Sequence, residues 1–200
     1  MAKFLTFFLP LPIPSVGPFG SYAAIFKGGK ATFLCQVDAD DCLAPHALSR
    51  AVSVLDQFEE ASFLYSDCLE IDEDGCPIRL SERQSMPYSQ ENLLVQFITF
   101  HLRLIRRRDY DAVGGYRSDL MFTGDYDLSL KLSEIGDVIY LKRPLYFYRV
   151  HQASDSQRHK KAVDREALAV SSHALQRRGL KDRLRLSQSE DGSLRLEARN

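Results

Sequence analysis

ATFLCQVDADDCLAPHAL, residues 31–48, is the stretch on which the fold turns. Ala31 to Val37 is a nearly continuous apolar run. Such a run suits a strand buried on both faces, as in a parallel sheet covered by helices. It ends in Asp38-Ala39-Asp40-Asp41, and the C-terminal end of a buried strand is where open α/β sheets place ligands. Pro45 then opens a helix, since a proline in the first turn loses no needed hydrogen bond. Leu48, Ala51, Val52, Leu55 and Phe58 recur at three- and four-residue steps and give that helix one apolar face.

Working outward, the pattern alternates between strands and helices. A second strand is expected over Ser62 to Ser66, and Leu69 to Leu80 carries the hairpin-turn pair Asp74-Gly75. Ser89 to Phe97 reads as a short helix with Leu93, Leu94 and Phe97 inward, and Phe100 to Ile105 as a strand. Gly114-Gly115 breaks a short helical stretch. Asp125 to Glu134 is a helix with Leu128, Leu132 and Ile135 on one face and Gly136 as its stop. Val138 to Leu141 and Leu145 to Val150 are expected as two strands. Val163, Ala167, Val170 and Ala174 mark a longer helix ending at Gly179. Leu184/Leu186 and Leu194/Leu196 alternate around Asp191-Gly192, a small charged hairpin appended at the surface. Before all this, residues 1–16 read as an extended arm: Phe4 to Leu9 is too short to span a bilayer, and Pro10, Pro12 and Pro14 stop a helix.

Composition sets limits. The chain has 200 residues, 44% of them hydrophobic, enough for one domain with a sizeable core. Lys and Arg number 26 against 27 Asp and Glu, so no basic face argues for nucleic acid. The run Arg106-Arg107-Arg108 is read as a solvated helix start or loop; its other reading is a surface for anionic lipid headgroups, hence peripheral membrane contact, or for an anionic acceptor. Four cysteines form no CxxC pair, which argues against structural zinc and for a reduced, cytosolic protein. Oligomeric state, including a homo-oligomer, is left open.

The acids carry the chemistry. Residues two apart in an extended segment point the same way, so Asp38 and Asp40 can share one site. Clustered carboxylates repel unless a cation neutralises them, and all-oxygen ligation favours Mg²⁺ or Mn²⁺. The other reading is an acidic turn that caps the following helix through Asp41. Asp125 has two readings as well, a plain helix-start acid or a base held ionised by the helix dipole. His151 reads as an exposed loop histidine or as one that hydrogen-bonds Ser154, and Asp67 as a strand-end cap. His101 and Asp72/Asp74 read as structural.

DADDCLAPHAL after a buried strand resembles the DxD segment of family 2 glycosyltransferases. VGGYRSDLMFTGDYDLSLKL, residues 113–132, resembles that family's second signature, a GG-aromatic turn before a helix with D-L-x-L-[RK]-L. PLYFYRVHQASDS, residues 144–156, resembles its closing strand, Y-R-x-H-x-x-S. Together these cover roughly Gly17 to Ser156. The resemblance implies an inverting, metal-assisted transfer of sugar from a nucleotide-diphosphate sugar, such as a UDP-sugar, to a saccharide or lipid-linked acceptor. It implies an α/β domain with a GT-A-like (Rossmann-like) mixed sheet flanked by helices over residues 17–156, followed by the helix and hairpin of 157–200. It implies roles too. Asp38 lies near the ribose and metal of the donor, Asp40 coordinates Mn²⁺ or Mg²⁺, and His151 lies near the metal as a further ligand. Asp125 is the base for the acceptor hydroxyl, and Asp67, Gly115 and Tyr116 line the acceptor side. Its usual setting is glycan assembly in the cytoplasm or at the inner face of the membrane.

The sequence departs from the family twice. The helix-opening acidic pair, usually Glu-Asp, is Gly124-Asp125. The V-I-I-P-x-Y-N-like strand and D-D-x-S turn that hold the nucleotide base are not found, and Gly17 to Lys30 resembles only the helix just before the DxD strand. Roughly 60 residues, two βαβ-scale units, are wanting, so the leading strands of the sheet are expected to be missing and the chain reads as N-terminally truncated. A non-catalytic remnant or assembly module of the same fold is the alternative. A glycoside hydrolase ranks below both, because its carboxylates would face each other across a bond rather than cluster.

Overall fold

The computed structural model describes residues 18–150 and 158–199. The expected arm over residues 1–16 and His151 lie outside the described residues. The elements, in order, are α1 (Pro18–Gly28), β1 (Phe33–Cys35), β2 (Cys42–Leu43), α2 (Ala47–Leu55), β3 (Ala61–Ile71) and β4 (Pro77–Leu80). They continue with α3 (Gln90–Val95), β5 (Arg103–Arg106), α4 (Arg107–Ala112), α5 (Gly124–Leu132) and β6 (Asp137–Arg149). A longer helix, α6 (Lys160–Arg177), and a hairpin, β7 (Leu184–Gln188) with β8 (Leu194–Ala198), complete the described chain.

The main sheet has the order β1-β5-β3-β6-β2, with β4 paired to β3. Only β3 and β6 run parallel; the other pairs are antiparallel, so the sheet is mixed. β3 sits at the centre, with seven of its eleven residues apolar and nine of the eleven buried, so it is covered on both faces. Alternation divides them. Phe63 joins one core with Leu93, Leu94, Leu128, Leu130 and Val170 from α3, α5 and α6. Leu64 and Cys68 join the other with Ala51 and Leu55 from α2, Leu104 and Tyr146.

β1 is buried on both faces as the apolar run requires, with Phe33 in one core and Leu34 in the other. It is not in parallel surroundings, however: it pairs antiparallel with β5. The two strands expected between Val138 and Val150 are one strand. Ser66 opposes Leu141 while Asp67 opposes Pro144, so the extra residues Lys142 and Arg143 bulge out and admit the proline without breaking β6. α2 begins at Ala47, two residues after Pro45, with His46 in the left-handed region at φ 62° as its cap. It ends at Leu55, so Phe58 is exposed rather than part of the apolar face. Ile135 is likewise exposed because α5 ends at Leu132. The hairpin β7–β8 is not merely appended: Leu184, Leu186 and Leu196 pack against the core beneath α3 and α6.

The arginine run at the start of α4 is only partly solvated: Arg106 and Arg107 are half-buried and Arg108 is exposed. Arg106 donates to the carbonyls of Ala61 (2.8 Å), Leu55 (2.5 Å) and Phe58 (3.0 Å). Arg107 donates to Ala31 (2.9 Å) and Phe26 (2.5 Å), and Arg108 to Glu59. These guanidinium groups add hydrogen bonds to carbonyls in and beyond the last turns of α2 and α1, which gives them structural work.

Candidate active site

The acidic turn after β1 is wired into the fold by two different acids. Asp38 Oδ1 accepts from Gln36 Nε2 at 2.9 Å and from the Tyr22 hydroxyl of α1 at 3.3 Å. Gln36 in turn accepts from the Tyr116 hydroxyl at 2.7 Å. The Asp41 carboxylate accepts from the Tyr146 hydroxyl at 2.7 Å and from the Arg149 backbone N–H at 2.8 Å, which fastens the turn to β6. Burial pushes the Asp41 carboxyl above its usual range despite those bonds. Arg149 Nε also holds the Asp40 carbonyl at 2.8 Å, while Asp40 itself is exposed. The turn is therefore a fixed platform, with Asp41 spent on holding it.

The second acidic position opens α5. Asp125 is 15% exposed and its Oδ2 lies 3.2 Å from Nη2 of Arg103 on β5, a side chain only 3% exposed. Its Oδ1 accepts from the Tyr126 N–H at 2.9 Å. Burial raises the Asp125 carboxyl above its ordinary value; Arg103 works against this and the charge of Asp38 works with it. The helix-dipole expectation of a lowered carboxyl is thus corrected, because desolvation outweighs the helix end. The influence of Asp38 also places the two acids within electrostatic reach of each other.

Gly124 has a steric cause. A Cβ there would lie 2.4 Å from Cγ of Phe19 on α1, so the ring occupies the space an acidic side chain would need. Gly115, at φ 64°, is similarly forced: a Cβ would lie 2.5 Å from the Tyr110 ring. Its carbonyl accepts from Lys131 Nζ at 2.7 Å, and the same nitrogen lies 3.1 Å from the fully buried Asp127. The D-x-x-x-K spacing on α5 therefore stacks an ion pair one turn apart that pins the double-glycine turn.

Tyr116 is buried and reaches Asp38 through Gln36. Asp67 accepts from the hydroxyl of Tyr140, whose ring stacks on Tyr65 at 4.8 Å. Tyr65 pairs with Arg103 across the sheet, so Asp67 stands one strand along from the Arg103–Asp125 pair. Three residues beside the site lie outside the sequence reading of it, which takes His101 as structural. Arg103 is one. His101 is another: it is 2% exposed, stacked on Tyr146 at 4.4 Å, with Nε2 3.9 Å from Asp38 Oδ2. Burial, with Arg103 and Arg83 nearby, holds its imidazole well below the usual range, so it is neutral and 3.9 Å is too long for a hydrogen bond. The third is Glu166 of α6, whose carboxylate accepts the N–H groups just before α5. Arg103 had a faint signal, a charge set within an apolar run; His101 had none beyond its place in the same run, and Glu166 had none in the pattern of its helix.

Among the described residues, no three His, Cys, Asp or Glu side chains stand together as a metal cage. Mg²⁺ on a nucleotide is commonly held by one or two carboxylates plus phosphate oxygens, and the exposed Asp40 fits that smaller demand.

No family model matches the chain. It is 27% identical over 150 residues to the chondroitin synthase of Escherichia coli, covering 74% of this chain and 22% of that one. It is 24% identical over 168 residues to the hyaluronan synthase of Pasteurella multocida, covering 84% and 17%. The chain thus spans about a fifth of the length of these relatives. In structure it is similar to S. aureus TarS 1–349 in complex with UDP, at TM-score 0.58 and 15% identity, covering 83% of this chain and 50% of that one. The same protein with UDP-GlcNAc gives 0.57 and 16%, covering 83% and 52%. The chain thus has the GT-A-like fold of the TarS structures, a mixed sheet flanked by helices, and in sequence it is similar to parts of chondroitin and hyaluronan synthases. No helix of the described residues is long and apolar enough to cross a membrane.

Proposed function

We propose that this chain transfers a sugar from a nucleotide-diphosphate sugar, a UDP-sugar in the first instance, to a hydroxyl of a saccharide or lipid-linked acceptor, with inversion. The observation that carries this reading is the Asp125 carboxylate, buried at the head of α5, held by Arg103 and within reach of the Asp38 charge. Inversion needs one base on the acceptor side, and a carboxyl raised towards working pH accepts a proton better than an ordinary one. Asp125 takes the proton of the acceptor hydroxyl while Arg103 fixes its direction. Asp38, steadied by Gln36 and Tyr22, meets the ribose side of the donor. Asp40 and His151 would hold Mn²⁺ or Mg²⁺, which would offset charge on the diphosphate leaving group. Asp67, beside Tyr140, contacts the acceptor, and Gly115 and Tyr116 shape that side through the turn they build. The relatives' names and the UDP complexes of TarS support the donor class. We place the reaction in the cytoplasm, at the inner membrane face when the acceptor is lipid-linked.

A thermal-shift titration with UDP, with and without Mn²⁺, tests the donor site. The expected result is a Mn²⁺-dependent rise in Tm that Asp40→Asn abolishes. A cooperative melt unmoved by UDP would overturn the proposal.

A further inference from the structure

We propose that Glu166, on α6, is the positioning residue that fixes the head of α5 and thereby aims the Asp125 carboxylate; this rests on the reading of Asp125 as the base. Glu166 Oε1 accepts from the Met121 N–H at 3.0 Å, and Oε2 from the N–H groups of Phe122 and Thr123, both at 2.7 Å. The Thr123 hydroxyl donates to the same Oε2 at 2.9 Å. One carboxylate from a distant helix thus collects three consecutive backbone donors and a hydroxyl, two residues ahead of Asp125.

The arrangement replaces the usual local device. Thr123 stands at the N-cap of α5, where a threonine oxygen ordinarily accepts from the second or third helical N–H. Here its side chain makes no such cap bond, because its hydroxyl is turned towards Glu166. The negative end that the helix start requires therefore comes from α6. Burial alone would raise the Glu166 carboxyl; the four donors prevail and hold it below its usual value, so it stays ionised. The nearby cation, Arg117, is engaged by Asp119 at 2.6 Å, which leaves the backbone donors as the partners Glu166 serves.

Two hinge-like features make this anchor necessary. Gly124, next to Asp125, has no side chain with which to fix itself and lies against the Phe19 ring. Met121, at the other side of the loop, is half exposed. Without Glu166 the N–H groups of residues 121–123 lose these partners, and the head of α5 that carries Asp125 loses its anchor from α6. A displacement on the order of 1 Å at a catalytic group can lower a rate about a hundredfold.

The test compares Glu166→Gln, Glu166→Asp and Ser171→Ala. Ser171 makes the other α6–α5 bond, donating to the Tyr126 hydroxyl at 2.9 Å, and its loss loosens the same helix pair without touching the loop. Transfer from a UDP-sugar and a ¹³C-carboxyl titration of Asp125 are measured on the whole chain below all melting temperatures. Glu166→Gln is expected to lower kcat roughly tenfold or more with KM for the donor unchanged within about twofold. It should also shift the Asp125 titration midpoint, with partial recovery in Glu166→Asp. Ser171→Ala should lower Tm but leave kcat and the midpoint in place. Equal effects of Glu166→Gln and Ser171→Ala on both readouts would overturn the assignment. If the parent chain transfers no sugar, the proposed function fails, and the Asp125 titration alone then decides whether Glu166 aims it.

Discussion

Replacing Arg103 by methionine removes the cation beside a buried carboxylate. Arg103 lies 3.2 Å from Asp125 and also donates to the carbonyls of Thr99 (3.2 Å) and Phe100. Breaking a buried pair on one side costs about 3–5 kcal/mol when the remaining charge stays ionised, a large part of the ~5–15 kcal/mol that holds a typical domain together. Asp125 can limit that cost by taking a proton, at about 1.4 kcal/mol per unit of raised pKa. Its folded value already stands above the unfolded 3.8. A carboxyl raised on folding stabilises the protein below its unfolded value, and that contribution is lost as pH climbs through the folded value. Removing Arg103 pushes the folded value higher, so the window of loss extends upward. Urea unfolding of parent and Arg103→Met at a series of pH values from 5 to 8 should therefore show a stability gap that widens as pH rises. In an Asp125→Asn background the gap should shrink by about 1.5 kcal/mol or more, the coupling of the pair. A gap that is flat in pH, with additive mutations, would refute the account of Arg103 and Asp125 as one unit.

Three more outcomes follow from the same geometry. Gly124→Glu, which restores the family's acidic pair, should destabilise by about 1–3 kcal/mol through collision with Phe19, and Phe19→Ala should relieve part of that in the double variant; equal Tm values for Gly124→Glu and parent would refute the steric reading. His101 is buried and neutral with its basicity lowered, so the unfolded chain binds the extra proton and stability should fall as pH drops below about 6.5, by up to about 1.4 kcal/mol per unit. His101→Phe should flatten that slope in chemical denaturation, and an unchanged slope would count against it. Tyr146→Phe removes the hydroxyl that Asp41 accepts and that Asp38 N–H meets at 3.2 Å, and should cost about 1–3 kcal/mol while weakening UDP binding; calorimetric titration showing parent-like affinity would contradict the role given to the acidic turn.

Much of this was legible in the sequence because its signals are local. The apolar run Ala31 to Val37, the acids that follow it and the helix carrying Asp125 each lie within one element and its neighbour. The reading failed where partners are far apart in the chain. Arg106 and Arg107 look like surface charge until the carbonyl ends of α2 and α1 fold beneath them. Glu166 lies 43 residues from Thr123, and nothing in the amphipathic pattern of α6 says that one acid will cap another helix. The helix-dipole argument for Asp125 was sound locally and was outweighed by burial, which depends on the whole sheet. Lys142 and Arg143 looked like a break between strands, yet a bulge opposite Asp67 carries β6 through.

The central claim is that Asp125 is the base of a glycosyl transfer from a nucleotide sugar. UDP release from a panel of UDP-sugars, with saccharide acceptors and Mn²⁺, compared between parent and Asp125→Asn, tests it most directly. The account predicts acceptor-dependent release by the parent and a loss of about a hundredfold or more in Asp125→Asn, with UDP affinity retained. Release that persists within a few-fold in Asp125→Asn, or that the parent never shows with any donor of the panel, would contradict it.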